Sequence, residues 1–222
     1  KVEVFNYGTF DGEQPNLLGR YLNGTLEYWL SVNSYQKDFR RYNKNEDRHF
    51  VASRLLLPPE KLEWIAQELN ETRKPENRSY IYHWAKNSCA TKIRDLINDA
   101  ADNQLFIQNQ SITPHSYRSE SLRHLWLQPL TWLGWHYIAN SLTDEPLSKW
   151  DLMYSPVRFQ EALKDTTIGD GGCGNVPWTQ DDVQKLMKEK MPSLHNRMVH
   201  ADAVWNAFSG AYMNLNGIMN QN

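Results

Sequence analysis

Of the side chains in this sequence that can bond covalently to a substrate, the thiol of Cys89 has the most telling surroundings. It stands in the run Asn87-Ser88-Cys89-Ala90-Thr91-Lys92-Ile93-Arg94-Asp95-Leu96-Ile97. Ile93, Leu96, Ile97 and Ala100 recur at helical spacing, and Cys89 precedes Ile93 by four residues, so the sulfur shares the face that packs on the core. Ser88 is a suitable N-cap. A thiol on the first turn of a helix feels the positive end of the dipole and unpaired backbone N–H groups, which can draw its pKa from about 8.5 toward neutrality. The competing reading is a small buried apolar residue.

A thiol nucleophile needs a base, and the chain has seven histidines: His49, His83, His115, His124, His136, His195 and His200. Spacing marks none of them. His83 is nearest to Cys89 but precedes the helix; either it or His115 would serve if an imidazole nitrogen came within about 4 Å of the sulfur. His195 and His200 are five apart and no Cys-x2-Cys pair exists, so no metal is expected. No Gly-x-Ser-x-Gly elbow is present. The glycine loop from Gly169 to Gly174 lacks the Lys-Ser/Thr ending of a phosphate cradle, and no cofactor is expected.

Several elements must position this chemistry. Lys1-Val2-Glu3-Val4-Phe5 reads as a strand, and Asn6 to Gly12 as a turn. Leu17, Leu18 and Tyr21 suggest a short helix ending near Gly24. Leu26, Tyr28, Leu30 and Val32 then alternate with Thr25, Glu27, Trp29 and Ser31, the pattern of a strand with one buried face. The charged segment from Lys37 to Arg48 holds Phe39 and Tyr42 as anchors. Phe50 to Leu57 is a further strand, and Pro58-Pro59 starts a helix carrying Leu62, Ile65, Ala66 and Leu69. Tyr80-Ile81-Tyr82-His83-Trp84 leads into the cysteine helix, its rings lining the groove beside the thiol or filling the core beneath it.

From Ser119 to Met153 the chain is helical in pattern and rich in Trp126, Trp132, Trp135 and Trp150. These indoles either form a lipid or acyl-chain surface or pack the core, and their large buried areas favour the second. Two more helices are expected over 179–190 and 197–219, the latter with Ala201, Val204, Trp205, Phe208 and Tyr212 on one stripe.

Composition narrows the class. The chain has 222 residues, 40% of them hydrophobic, a net charge of −2 and a pI near 6.4. Such a balance gives no global electrostatic case for nucleic acid or an anionic membrane. No run approaches the roughly 18 to 20 apolar residues that span a bilayer, though peripheral membrane contact stays open. The start at Lys1 suggests that residues upstream have been removed. A disulfide between Cys89 and Cys173 would silence the nucleophile, but their separation and unlike contexts favour free thiols.

Five segments in order carry a resemblance: Phe5-Asn6-Tyr7-Gly8-Thr9-Phe10-Asp11, the strand from Leu22 to Leu30, Pro75 to Tyr80, Ser88 to Asp95, and Ser116-Tyr117-Arg118. Together, over roughly residues 1–163, they resemble the Lnb N-terminal periplasmic domain family. That family looks like a circularly permuted relative of papain-like NlpC-type thiol enzymes, bacterial and facing the periplasm, and its founding activity is lipoprotein N-acylation. The resemblance implies Cys89 as nucleophile, forming a thioester with an acyl donor. It also implies a histidine base in a Gly-His element before the Asn-Tyr-Gly motif, which would precede Lys1, and Asn6 as the residue that orients the imidazole. Tyr7, His83, Trp84, Ser88, Thr91 and Arg118 are the candidates for substrate-binding or supporting roles.

The expectation is an α+β fold: a papain-like core of the permuted NlpC type over residues 1–110, in which a small antiparallel sheet packs on the cysteine helix, and a helical C-terminal subdomain over 111–222. The expected function is an acyltransferase or an amide or ester hydrolase in the periplasm or outer envelope of a Gram-negative bacterium, acting on an acyl-bearing or amide substrate such as a lipid or lipoprotein. The alternative is a noncatalytic envelope module that keeps the fold and binds lipid, glycan or a partner protein.

Overall fold

The computed structural model describes residues 3–42, 53–55, 57–125, 128–168, 171–172 and 175–177. The expected helices over 179–190 and 197–219, together with Trp126, Cys173, His49, His195 and His200, lie outside the described residues. In chain order the elements begin β1 (Glu3–Thr9), α1 (Leu17–Leu22), β2 (Glu27–Ser34), α2 (Tyr35–Arg40), β3 (Ser53–Leu55), α3 (Pro59–Thr72), β4 (Ser79–Ile81) and α4 (Cys89–Ala100). They continue with α5 (Gln104–Gln108), α6 (Tyr117–Leu125), α7 (Pro129–Ile138), a 3-10 turn at Ser141–Thr143, α8 (Lys149–Leu152) and α9 (Pro156–Asp165). Three short strands follow: β5 (Thr167–Ile168), β6 (Gly171–Gly172) and β7 (Asn175–Pro177).

The chain is α+β, with a small open antiparallel sheet in the order β1-β2-β4 and several helices. β2 is the middle strand, paired with β1 on one edge and β4 on the other, and Tyr28 and Leu30, with Leu26 just before them, are buried on one side. Tyr28 stacks on Phe10 and Tyr82, with ring centroids 4.8 and 4.3 Å apart. The sheet is thereby held by cross-strand rings as well as by its ladder.

β1 runs through the turn expected at Asn6. Its register with β2 passes from Asn6 opposite Ser31 to Thr9 opposite Trp29, so Tyr7 and Gly8 form a bulge within the strand. The Asn6 side chain supplies the reason: Oδ1 accepts the Gly8 N–H at 2.7 Å, a bond that would close a turn elsewhere and here stabilises the bulge.

α4 is the hub. Its first turn, through Cys89 and Ile93, meets β1 and β2 in a cluster with Tyr7 and Leu30. Its other apolar side, Ile97 and Ala100, joins Leu57, Leu105, Met153 and Phe159 in a second core against α5 and α9. Phe159 is fully buried there, and removing such a ring costs about 3 to 5 kcal/mol. Pro59 and Pro156 each start a helix at a position where a missing N–H costs nothing.

α6 and α9 are joined by a buried carboxylate. Glu120 is shielded completely from solvent and accepts bonds from Arg123, His124 and Arg158. No helix among the described residues is long and apolar enough to cross a membrane.

Candidate functional site

Cys89 is the first residue of α4, as the spacing predicted, and Ser88 caps it. Ser88 Oγ accepts the Thr91 N–H at 3.3 Å, while Thr91 Oγ1 accepts the Ser88 N–H at 2.7 Å. Both side chains are buried, so this reciprocal box fixes where the helix starts and therefore where the sulfur points.

The thiol is free and lies within the core, 6% exposed. Burial pushes it up to about 12, against the hydrogen bonds offered by the Ala90 amide and its own amide. The expected acidic thiolate is therefore not the resting form: desolvation outweighs the helix terminus, and the sulfur keeps its proton at neutral pH.

The bulge of β1 covers the sulfur. A Cβ placed on Gly8 would lie at ordinary contact distance, 3.9 Å, from both Cβ and Sγ of Cys89 but only 3.2 Å from Asn6 Oδ1, so it is the Asn6 carboxamide that a side chain here would press on. Asn6 flanks the same glycine, and its polar atoms are engaged within the protein: Oδ1 with the Gly8 amide and Nδ2 donating to the Tyr42 hydroxyl at 3.3 Å. Tyr7 is buried in the same cluster, and its carbonyl accepts the Tyr80 hydroxyl at 2.6 Å. Burial raises the Tyr80 and Tyr82 hydroxyls, and the neighbouring Cys89 raises both further; Tyr80 also packs against the cluster that holds the sulfur. Gly8 was not among the candidates drawn from sequence, although the Asn-x-Gly spacing was an available signal for it; Tyr42 was expected only as an anchor, and the rings of Tyr80 and Tyr82 were expected beside the thiol or beneath it.

His83 is committed through Nδ1 to its own turn. Its Nδ1 accepts the amides of Ala85 and Lys86 at 3.2 and 3.1 Å, closing the turn that leads into α4, and burial with nearby Lys86 lowers its pKa. The ring is thus a neutral structural acceptor. Among the other described histidines, His124 sits on Glu120 and His136 lies edge-on to Trp132, with ring centroids 4.3 Å apart.

Trp84 and Arg118 make their contacts with the helical part of the fold. The Trp84 ring meets Tyr117, Trp135 and Tyr154 edge to face at 5.3, 5.5 and 5.6 Å, tying the turn before α4 to α6 and α7. Arg118 bonds Asp144 and the carbonyls of His136, Ala139 and Asn140. It caps the C-terminal end of α7, which is a structural duty.

The geometry defines a class: an α+β domain that seats a cysteine on the capped first turn of a buried helix, beneath a strand bulge. The chain belongs to the Lnb N-terminal periplasmic domain family, whose sequence model matches residues 6–131. That span includes the bulge, the cysteine helix and Arg118, and it identifies an envelope protein of the bacterial periplasm. No curated protein and no solved structure matches the chain.

Proposed function

We propose that the protein is a thiol-dependent acyltransferase or amide or ester hydrolase of the bacterial envelope, on a papain-like core of the permuted NlpC type. The observation that carries this reading is Cys89 on the capped first turn of α4, with two backbone amides on its sulfur and the glycine of the bulge against it. In the reaction the thiol proton passes to a base as sulfur bonds to the carbonyl carbon. The leaving amine or alcohol takes a proton as its bond to that carbon breaks, and an acceptor then attacks the thioester. Helix N-terminal amides would stabilise the oxyanion.

Because burial holds the thiol protonated, proton removal accompanies attack rather than preceding it. His83 is spent on its own turn, and the base implied by the family resemblance is a histidine on a strand before Asn6. Residues 1–110 would carry the chemistry, and α6 and α7, whose rings meet Trp84, would shape the acyl or acceptor side.

The test is intact mass and peptide mapping after exposure to a thiol-reactive acyl probe. Acylation of Cys89 well above that of Cys173 supports the enzyme; equal, slow acylation of both removes it.

A second reading, a noncatalytic module binding lipid, glycan or a partner protein, is favoured by the outer face of α7. Leu130 and Tyr137 are each 84% exposed, with Leu133 beside them at helical spacing and Leu142 just beyond. Flotation with phospholipid vesicles, compared for the wild type and Leu130→Ser/Tyr137→Ser, tests it; co-flotation that these substitutions leave unchanged would count against this face.

A further inference from the structure

We infer that Tyr42 is a positioning residue for the thiol chemistry: its hydroxyl holds the Asn6 carboxamide in the one orientation that fixes the bulge over Cys89. This rests on the function proposed above. The Gly8 N–H can only donate, so the atom of Asn6 facing it at 2.7 Å must be the carbonyl oxygen Oδ1. The amide nitrogen then faces Tyr42, and the phenol oxygen accepts from it at 3.3 Å. Each end of one planar group is thereby assigned, and the carboxamide cannot turn over without facing like against like at Gly8.

The consequence reaches the sulfur through a single residue. Asn6 Oδ1 holds the Gly8 amide, and the Gly8 α-carbon is where a Cβ would stand 3.9 Å from Sγ. Tyr42 lies 36 residues from Asn6, just beyond α2, and α2 packs against both β1 and β2. The brace therefore comes from a separate element rather than from the strand itself. Losing it leaves Asn6 held at Oδ1 only, free to swing about its side-chain torsions, and the bulge loses its rigid support. Chemistry that depends on sub-ångström placement is sensitive to such loosening even where affinity is not.

Tyr42→Phe removes the acceptor and keeps the ring. Two measurements on the full chain, with Asn6→Ala and the double variant alongside, decide the matter. Amide hydrogen exchange at Gly8 reports the bulge whether or not Cys89 is reactive; Tyr42→Phe is expected to accelerate it about tenfold, and the double variant no further than Asn6→Ala alone. Acylation of Cys89 by the thiol-reactive probe should lose about tenfold in its saturating rate with half-saturation unchanged, while Cys173 labels as before. Gly8 exchange unaltered by Tyr42→Phe, or defects of the two single variants that multiply in the double, would overturn the inference. If wild-type Cys89 labels no faster than Cys173, the proposed enzyme falls, and with it the positioning role of Tyr42, even where Gly8 exchange shows the brace.

Discussion

Gly8 and Cys89 meet across the boundary between β1 and α4, so closely that a methyl group on the glycine would stand 3.9 Å from the sulfur. The tighter constraint comes from Asn6, whose Oδ1 would lie only 3.2 Å from that methyl. Gly8→Ala should therefore press on the carboxamide and weaken its bond to the Gly8 amide, costing about 1 to 2 kcal/mol. Urea unfolding checks the cost, and Cys89 acylation checks its effect on the site. A variant that unfolds at the wild-type midpoint and labels at the wild-type rate would make the close approach incidental.

Ser88 and Thr91 satisfy each other's backbone at the start of α4, and both are buried. Ser88→Ala leaves the Thr91 N–H without its acceptor in a place water does not reach, so the loss should be about 1 to 2 kcal/mol. Ser88→Asp restores an acceptor but adds a buried charge, and should recover only part of it. Equilibrium unfolding of the three proteins reads the order directly; an alanine variant as stable as the wild type would show that the cap does not hold the helix start.

How much of this was legible in the residues differs from place to place. The beginning of α4 could be read because a serine before a helical apolar pattern has few other uses, and β2 because its apolar residues recur at every second position from Leu26 to Val32. The bulge was read as a turn, since an asparagine bonding an amide two residues on serves both; only pairing of the flanking residues with β2 separates them. α2 was hidden in a charged run, its six residues too short to display a period. The thiol's place on the core-packing face was legible, but how fully it is covered was not, because Tyr7 and Leu30 close over it from β1 and β2, far from Cys89 in sequence.

Glu120 makes a strong prediction about acid. Burial works to raise its pKa, but hydrogen bonds from His124, Arg123 and Arg158 outweigh burial and hold the carboxyl well below its ordinary value of 4.5. A folded pKa below the unfolded one means stability that is fully present above about 4.5 and is lost as pH falls through that value and beyond. Glu120→Gln leaves two guanidinium groups without their anion and should cost about 3 kcal/mol at neutral pH. The gap from the wild type should narrow on acidification. A pH-independent gap in thermal unfolding between pH 7 and pH 3 would contradict this account.

Asp38 is the opposite case. It is 2% exposed, its Oδ2 has no hydrogen-bond partner among the described residues, and burial raises its pKa despite Arg41, Lys37 and a bond from Asn33. The sign follows: a carboxyl whose folded pKa exceeds its unfolded 3.8 favours the fold most at low pH, and that advantage drains as pH rises from 3.8 through the raised value. Asp38→Asn removes the buried charge and should gain about 1 kcal/mol at pH 7. Near pH 3 the two proteins should unfold alike. A destabilised asparagine variant at pH 7 would mean that the charge is compensated after all.

The thiol itself gives the most direct test of the site. Alkylation by iodoacetamide proceeds through the thiolate, so its rate follows the ionised fraction. With Cys89 pushed up to about 12, the rate should keep climbing with pH past the ordinary thiol value of 9.0, rising about tenfold per unit with no plateau near neutrality. Cys173 is the internal comparison in the same molecule. The same shift has a sign in stability: the unfolded chain gives up this proton first, so the contribution is intact below 9.0 and is lost as pH climbs toward about 12. Cys89→Ala should therefore flatten the alkaline limb of the unfolding curve while lowering its neutral value by the lost packing of the sulfur. A rate plateau below pH 8 would mean that the thiolate is already formed at rest, and attack would then need no base brought to the sulfur.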